Sequence, residues 1–365
     1  MYSSALDREI RSIAIVMLSA IGDAMHVLPV ANALKRADPG LRITWIVQPV
    51  PHRLVYNHPA IDDFVLFHRR SGLGMWGEYR QVLGQLRTRK FDVAIGLQVY
   101  LKAGLLLGGV KADVKLGFDR RRARDMNWLF STHRLEAHAP QHVQDQYFEF
   151  VRFLGVDPHP VRWGLVLTPE ERRAQTEYFR GKKRPVCAFV VGTSKREKNW
   201  PADRYAELIE IAAADLGFEP LIIGGPSTVE REAARVIQAS VRLPLQSELG
   251  NDLRRLLYLI DGSAAVVSPD TGPLHIARAL DVPVVGLYGY TNPRRTGPYG
   301  RFADLVVDGY ARYPGEEYGH QITYRKGGMA RVTVAMAAAK LELARRQYRG
   351  ASARPGDGGE PHTPW

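Results

Sequence analysis

Cysteine is nearly absent from this chain: 365 residues contain one, Cys187. A single thiol excludes an intramolecular disulfide framework and every zinc or iron–sulfur site built on several cysteines. It fits a reducing compartment. Long apolar runs are also missing, and none reaches the roughly 18 residues that mark a membrane-spanning helix. The opening MYSSALDREIRS has no apolar stretch behind a basic start, so no signal peptide is expected. The expectation is a cytoplasmic protein whose contact with a membrane is peripheral. Several catalytic templates are absent too: there is no GxxxxGK[ST], no HExxH and no GxSxG.

What is present is a globular composition, with 45% hydrophobic and 24% charged residues. At about 150 residues per domain, the length suggests two domains. Lys and Arg number 50 against 38 Asp and Glu, a formal net charge of +12. Such a balance favours anionic partners such as a phosphorylated substrate or acidic lipid. Nucleic acid is not expected, because no aromatic-interleaved basic platform or helix-turn-helix pattern accompanies the charge.

Short apolar runs alternate with longer amphipathic ones. SIAIVML (12–18), RITWIVQ (42–48), DFVLF (63–67), FDVAIGL (91–97) and VKLGF (114–118) read as strands, with a helix from about Asp23 to Ala37. A second series follows residue 165. Thr168-Pro169-Glu170-Glu171 is a complete helix start. RPVCAFVV (184–191), EPLIIGG (219–225), AAVVS (264–268) and VPVVGLYG (282–289) are strands. Helices are expected from Pro201 to about Gly217 and over 229–239, 251–260 and 272–280. This alternation predicts an α/β fold: two Rossmann-like domains, each with a parallel sheet. The boundaries are drawn at 1–165 and 166–349. The Gly/Pro-rich 350–365 is expected to be a disordered tail.

Ligands of parallel α/β sheets bind beyond the carboxyl ends of the strands, so the strand-to-helix turns matter most. Three are unusual. The first, Ser19-Ala20-Ile21-Gly22-Asp23, puts a carboxylate at a helix start. Asp23 either takes a proton from a substrate hydroxyl or merely caps the helix. The second, Gly192-Thr193-Ser194-Lys195-Arg196-Glu197-Lys198, brings hydroxyls and lysines to a helix start. That composition suits an anion such as a diphosphate; the alternative is a solvated charged loop. The third, Ser268-Pro269-Asp270-Thr271-Gly272-Pro273-Leu274-His275, presents N–H groups and a hydroxyl where phosphate oxygens fit. Asp270 would repel phosphate, so it suits sugar hydroxyls or the ordering of the turn.

Other features are weaker. Gly72–Gly77 matches GxGxxG but lacks the acid expected at the end of the following strand. His138 and His142 are four apart with no carboxylates to complete a metal site. Arg120, Arg121, Arg122 and Arg124, with Lys111 and Lys115, form a basic cluster. It is either plain solvated surface or a surface for an acidic acceptor or anionic lipid.

With GDAMHVLP (22–29), TSKREKNWP (193–201), SPDTGPLHIARAL (268–280) and VPVVGLYGYTNPRRTGP (282–298) in this order, the sequence resembles glycosyltransferase family 9, the lipopolysaccharide core heptosyltransferases of Gram-negative bacteria. Gly96-Leu97-Gln98 with Lys102 adds a further matching segment. The resemblance covers about residues 12–340. It implies a GT-B architecture, two Rossmann-like domains with parallel sheets facing each other across a cleft. The acceptor would bind the N-terminal domain and ADP-heptose the C-terminal one, in an inverting transfer with no cofactor and no metal. The lack of any Asp-x-Asp, the usual clamp of metal-dependent sugar transferases, agrees with that.

Carried onto this chain, the resemblance makes Asp23 the general base and places Lys198 beside the donor diphosphate with Thr193 and Ser194. Asp270, Thr271, Gly272 and His275 become the donor turn. The family carries an acid just after the Gly-Gly-Pro turn; here Thr228 stands near that place, and Glu230 is the closest acid. Gly22, Gln98, Lys102, Arg120 and Arg122, with segment 68–80, are the candidates for the acceptor. The implied partners are a nucleotide-sugar donor, a lipid-linked saccharide and the cytoplasmic face of the inner membrane.

Two other functions share this fold. One is a nucleotide-sugar epimerase resembling the UDP-N-acetylglucosamine 2-epimerases, which needs no acceptor site. The other is a non-catalytic binder of nucleotide sugar or saccharide. The GDxxHxLP turn counts against the first, and Asp23 together with Lys198 counts against the second.

Overall fold

A computed structural model describes residues 1–3, 6–72 and 74–348. The tail assigned to 350–365 lies outside the described residues. Contacts divide the chain into two compact units. Of the described residues, the first comprises those in 1–139 and 143–166, and the second those in 140–142 and 167–348.

The N-terminal unit is built on β1 (Ser12–Val16), β2 (Arg42–Val47), β3 (Asp63–Leu66), β4 (Phe91–Gly96), β5 (Ala112–Gly117) and β6 (His133–Arg134), in the order β3-β2-β1-β4-β5-β6. Every pairing in this sheet is parallel. Its central strands are buried along almost their whole length, with Ile13, Ala14, Ile15 and Val16 at 0% exposure. That is why they read as near-continuous apolar runs rather than alternating ones. Trp45 on β2 is fully buried and donates its indole N–H to the Met17 carbonyl at 2.9 Å, so its one polar atom is satisfied.

The C-terminal unit repeats the plan with β7 (Val186–Val190), β8 (Glu219–Gly224), β9 (Gln246–Leu249), β10 (Ala265–Pro269), β11 (Val284–Tyr288) and β12 (Val306–Asp308). The order is β9-β8-β7-β10-β11-β12, again parallel throughout. Cys187 is wholly buried on β7, where desolvation pushes its thiol far above the ordinary range. Capping follows the sequence signal: Thr168 Oγ accepts from the Glu171 N–H while the Glu171 carboxylate accepts from the Thr168 N–H at 2.8 Å.

Both sheets therefore have the Rossmann strand order, three strands running one way from the centre and three the other. The switch point lies between β1 and β4 in the first sheet and between β7 and β10 in the second. A crevice outside the carboxyl ends of those strands is where such sheets bind ligands. The helices that follow β1, β4 and β10 are Ile21–Ala37, Leu101–Gly109 and Gly272–Ala279. The first begins two residues before the expected start.

Candidate active site

In the N-terminal unit, the turn after β1 carries Gly22 and Asp23 into the first turn of the helix Ile21–Ala37. Asp23 occupies the third helical position, and its Oδ2 accepts the Ala20 N–H at 3.0 Å. The residue thus does cap its helix, and it does so at the switch point. Next to it stands the turn after β4. The Gln98 carboxamide reaches back across the switch point, with Oε1 accepting the Leu18 N–H at 3.0 Å and Nε2 donating to the Ser19 carbonyl. Gln98 therefore braces the strand end that delivers Asp23.

Lys102 is half-buried in the helix Leu101–Gly109. Burial, aided by the like charge of Arg69, lowers its pKa from the ordinary lysine value. Its backbone carbonyl accepts the Tyr79 hydroxyl at 2.9 Å. His26, one turn beyond Asp23, is buried, with Nδ1 2.9 Å from Gln144 Oε1. That is the environment of a packed histidine.

The arginine cluster separates into two roles. Arg122 faces inward. Its Nε meets Asp119, and its two terminal nitrogens reach the Glu149 carboxylate at 2.6 and 2.8 Å. Arg120 lies outward, with its guanidinium 4.5 Å from the Trp128 ring centroid.

In the C-terminal unit, the residues singled out at two turns converge at the β7/β10 switch point. Thr193 shapes the first of these turns. Its N–H donates to Asn199 Oδ1 at 2.8 Å, its hydroxyl lies 2.7 Å from the Lys195 carbonyl, and its Oγ1 accepts the Lys195 N–H at 3.2 Å. Ser194 follows on the exposed side of the loop. This turn delivers Lys198, whose ammonium donates to Asp270 Oδ2 at 2.7 Å and to the Asp270 carbonyl at 2.9 Å.

Asp270 is 7% exposed and collects three partners. Besides Lys198, the Thr291 hydroxyl donates to Oδ2 at 2.6 Å, and His275 Nε2 stands 3.6 Å from Oδ1. Burial alone would push this carboxyl up. Contact with His275 and the charge of Lys198 outweigh it and hold Asp270 well below the usual carboxylate range. Asp270 is thus an anion whose charge is already matched inside the protein. Immediately after it, Thr271 occupies the N-cap position of the helix Gly272–Ala279, with no side-chain capping bond. The N–H groups of Thr271 and Gly272 have no acceptor among the described residues. This is the anion-binding end of a helix.

Glu230 and Thr228 begin the helix that follows β8. Glu230 Oε1 accepts the Gly225 N–H at 2.7 Å, and Oε2 accepts the Ser227 hydroxyl at 2.6 Å. The carboxylate lies directly on the glycine turn. A Cβ at Gly192 would come within 2.7 Å of Glu230 Cγ, and one at Gly224 within 2.7 Å of its Oε1. Thr228 is exposed one residue beyond the Ser227 cap.

One feature of the site was not foreseen. Tyr290 and Tyr324 stack with centroids 5.1 Å apart and planes at 18°, and the Lys195 ammonium lies 5.9 and 5.2 Å from their centroids. Tyr324 arrives on a segment bridged to Thr291. Nothing in local spacing connects residue 195 with residue 324. Among the described residues, no group of three or more His, Cys, Asp or Glu is arranged to hold a metal ion.

Two parallel sheets of Rossmann order, one of them with a lysine–carboxylate cluster beside an open helix N-terminus, define a two-unit α/β protein. The chain belongs to glycosyltransferase family 9 (heptosyltransferase), whose profile matches residues 79–322. It is 30% identical over 310 residues to the lipopolysaccharide core heptosyltransferase OpsX of Haemophilus influenzae, covering 85% of this chain and 87% of that protein. Among solved structures, the family 9 glycosyl transferase of Veillonella parvula is similar with a TM-score of 0.79 at 20% identity, covering 92% of this chain and 97% of that one. Escherichia coli heptosyltransferase WaaC with ADP gives 0.73 at 22% identity, over 91% and 99%. The family match favours sugar transfer over the epimerase reading.

Proposed function

We propose that this protein transfers heptose from ADP-heptose to a saccharide of the lipopolysaccharide core, with inversion at the anomeric carbon. The observation that carries the donor half is the cluster of Lys198, Asp270, Thr291 and His275 beside the open N–H groups of Thr271 and Gly272. A diphosphate placed there meets an ammonium and a helix N-terminus, the two groups best suited to the charge that grows on departing ADP. Asp270 keeps Lys198 in position and is itself neutralised, so it does not repel the phosphates. Thr193 and Ser194 frame the same turn. Glu230 shapes the glycine turn where Thr228 and the ribose would meet.

The acceptor half rests on Asp23. Its carboxylate takes the proton of the acceptor hydroxyl as that oxygen attacks the anomeric carbon. The bond from the anomeric carbon to the diphosphate oxygen breaks, and ADP leaves. Gln98 fixes the strand end that carries Asp23, Gly22 allows close approach, and Lys102 supplies positive charge for an acidic acceptor. Arg122 holds the neighbouring loop through Glu149 and Asp119. Among the described residues no helix is long and apolar enough to cross a membrane, and a lipid-linked acceptor would be met by peripheral contact.

The test is ADP release by purified protein given ADP-heptose and truncated lipopolysaccharide acceptors, wild type beside Asp23→Asn. Acceptor-dependent release that collapses in the variant is expected. Release of ADP that needs no acceptor, or is unchanged by the substitution, overturns the assignment of Asp23 and of the transfer.

A further inference from the structure

We infer that the loop 119–130 of the N-terminal unit is an anionic-membrane docking surface that inserts Met126 and Leu129 into the bilayer. Both side chains stand in solvent, 61% and 55% exposed. Tyr100 and Leu101, at the start of the helix that follows β4, are 50% and 39% exposed. The two segments are tied together: the Arg124 N–H donates to the Val99 carbonyl at 2.8 Å, and Asn127 Nδ2 donates to the Tyr100 carbonyl at 2.7 Å. The exposed apolar groups therefore belong to one patch. That patch sits at the end of β4, beside the turn that carries Gln98.

The display is rigid. The short helix Asn127–Phe130 packs on Leu101–Gly109 through two glycines. A Cβ at Gly104 would come within 2.8 Å of the Phe130 ring, and one at Gly108 within 2.7 Å. Asp125 and Met126 both adopt left-handed backbone, with φ of 51° and 57°. That conformation is costly for residues with a Cβ. Strained backbone persists only where surrounding contacts hold it, and here it turns Met126 away from the core.

Charge names the occupant. Arg120 and Arg134 lie 4.5 and 5.4 Å from the Trp128 ring centroid, and Arg124 lies 5.9 Å from that of Tyr100. These three and Arg121 are exposed, and none pairs with a carboxylate side chain among the described residues. The loop holds two acids: Asp119 is buried and paired with Arg122, and Asp125 is exposed. A saccharide would use the arginines and leave Met126 and Leu129 wet. A bilayer with anionic headgroups uses both sets, the arginines at the phosphates and the apolar tips in the acyl boundary. The inference rests on the proposed function only in expecting an acceptor held at a lipid surface.

The test is co-sedimentation of the full chain with vesicles of phosphatidylglycerol and phosphatidylethanolamine, beside vesicles of phosphatidylcholine alone. Transfer to a deacylated, water-soluble acceptor is followed in parallel. Wild type should bind the anionic vesicles and be released by salt. Met126→Ser/Leu129→Ser should weaken that binding about tenfold, and Arg121→Gln/Arg124→Gln by roughly fivefold per charge. Met126→Leu should retain it, which separates loss of insertion from loss of fold. Turnover on the soluble acceptor should be unchanged in the Met126→Ser/Leu129→Ser variant. Equal binding to neutral vesicles, or binding indifferent to both sets of substitutions, overturns the inference. So does wild-type dimerisation that the serine variant abolishes while no vesicle binding is seen, because the patch would then face a second copy. Failure of turnover with vesicle binding intact would strike the proposed function and leave the docking surface standing.

Discussion

The Lys198 ammonium lies 2.7 Å from Asp270 Oδ2 and 2.9 Å from the same residue's backbone carbonyl. Two contacts to one residue leave the lysine a single remaining donor direction, which the Asp270 backbone position then fixes. In the proposed reaction that direction is worth more than the charge alone, because preorganised donors act without reorganising at the moment of transfer.

Lys198→Ala should lower kcat for heptose transfer by about 10²–10³. Asp270→Asn keeps the size of the side chain but removes the anion that holds Lys198 and His275. Its kcat/KM for donor should fall by a comparable factor, while Thr291→Val, which removes one donor to Asp270, should lose less. Steady-state kinetics with varied ADP-heptose checks the order. A near-wild-type Asp270→Asn would show that the ion pair positions nothing.

Asp23 has a structural task as well as the proposed chemical one, and the two can be separated. Asp23→Asn retains an oxygen to accept the Ala20 N–H, so its melting temperature should stay close to wild type. Asp23→Ala loses that acceptor and should be destabilised by about 1 kcal/mol. Both should lose activity by about 10²–10⁴, since neither can take a proton. Activity that tracks the melting temperature instead would reduce Asp23 to a cap.

Glu230 rests on the glycines of the strand ends. Gly192→Ala drives a Cβ to 2.7 Å from Glu230 Cγ, so either the carboxylate or the β7 turn must shift. That variant should bind ADP more weakly and melt earlier. Glu230→Ala should lower stability without that clash, because the N–H of Gly225 loses its acceptor. Calorimetric titration with ADP on both variants distinguishes a displaced turn from a missing contact.

Acid should weaken the N-terminal unit through His58. This buried ring places Nε2 2.7 Å from the Trp163 carbonyl, and its Nδ1 accepts the Ala60 N–H at 3.2 Å. Burial pushes its pKa down from 6.5 to about 4, with the Trp163 contact opposing weakly. The folded form therefore binds this proton less readily than the unfolded chain. The stabilisation is present above pH 6.5 and is lost as pH falls toward 4. The full effect is about 3 kcal/mol. Melting temperatures across this window should fall in wild type and fall less in His58→Gln, whose neutral amide cannot titrate.

The sequence revealed the fold where burial dictates it. β1, β2, β4, β7 and β8 are covered on both faces, so their apolar runs stand out. β9 reads QSEL and is only partly buried, and β12 has three residues. Edge strands of this kind carry no apolar run and escape notice. The site was legible for a different reason. Parallel sheets place ligands at their switch points, so the crowded turns after β1, β7 and β10 stand out from local sequence alone. What could not be picked out were partners from distant segments. Gln98 holds residues 18 and 19 from 80 positions away, and Tyr324 reaches Lys195 across more than a hundred residues. Arg122 looked like surface charge because Glu149, which takes both its terminal nitrogens, lies 27 residues away.

The repeated strand order has an evolutionary consequence. Each sheet carries its own pair of candidate site turns on its own scaffold, and no strand is shared between them. Variation around β1 and β4 can therefore accumulate without disturbing the packing that supports Lys198 and Asp270. Under the proposed assignment, lineages could change what receives the sugar while inheriting unaltered the half that holds the donor. Chimaeras joined near residue 166 should inherit the two specificities separately.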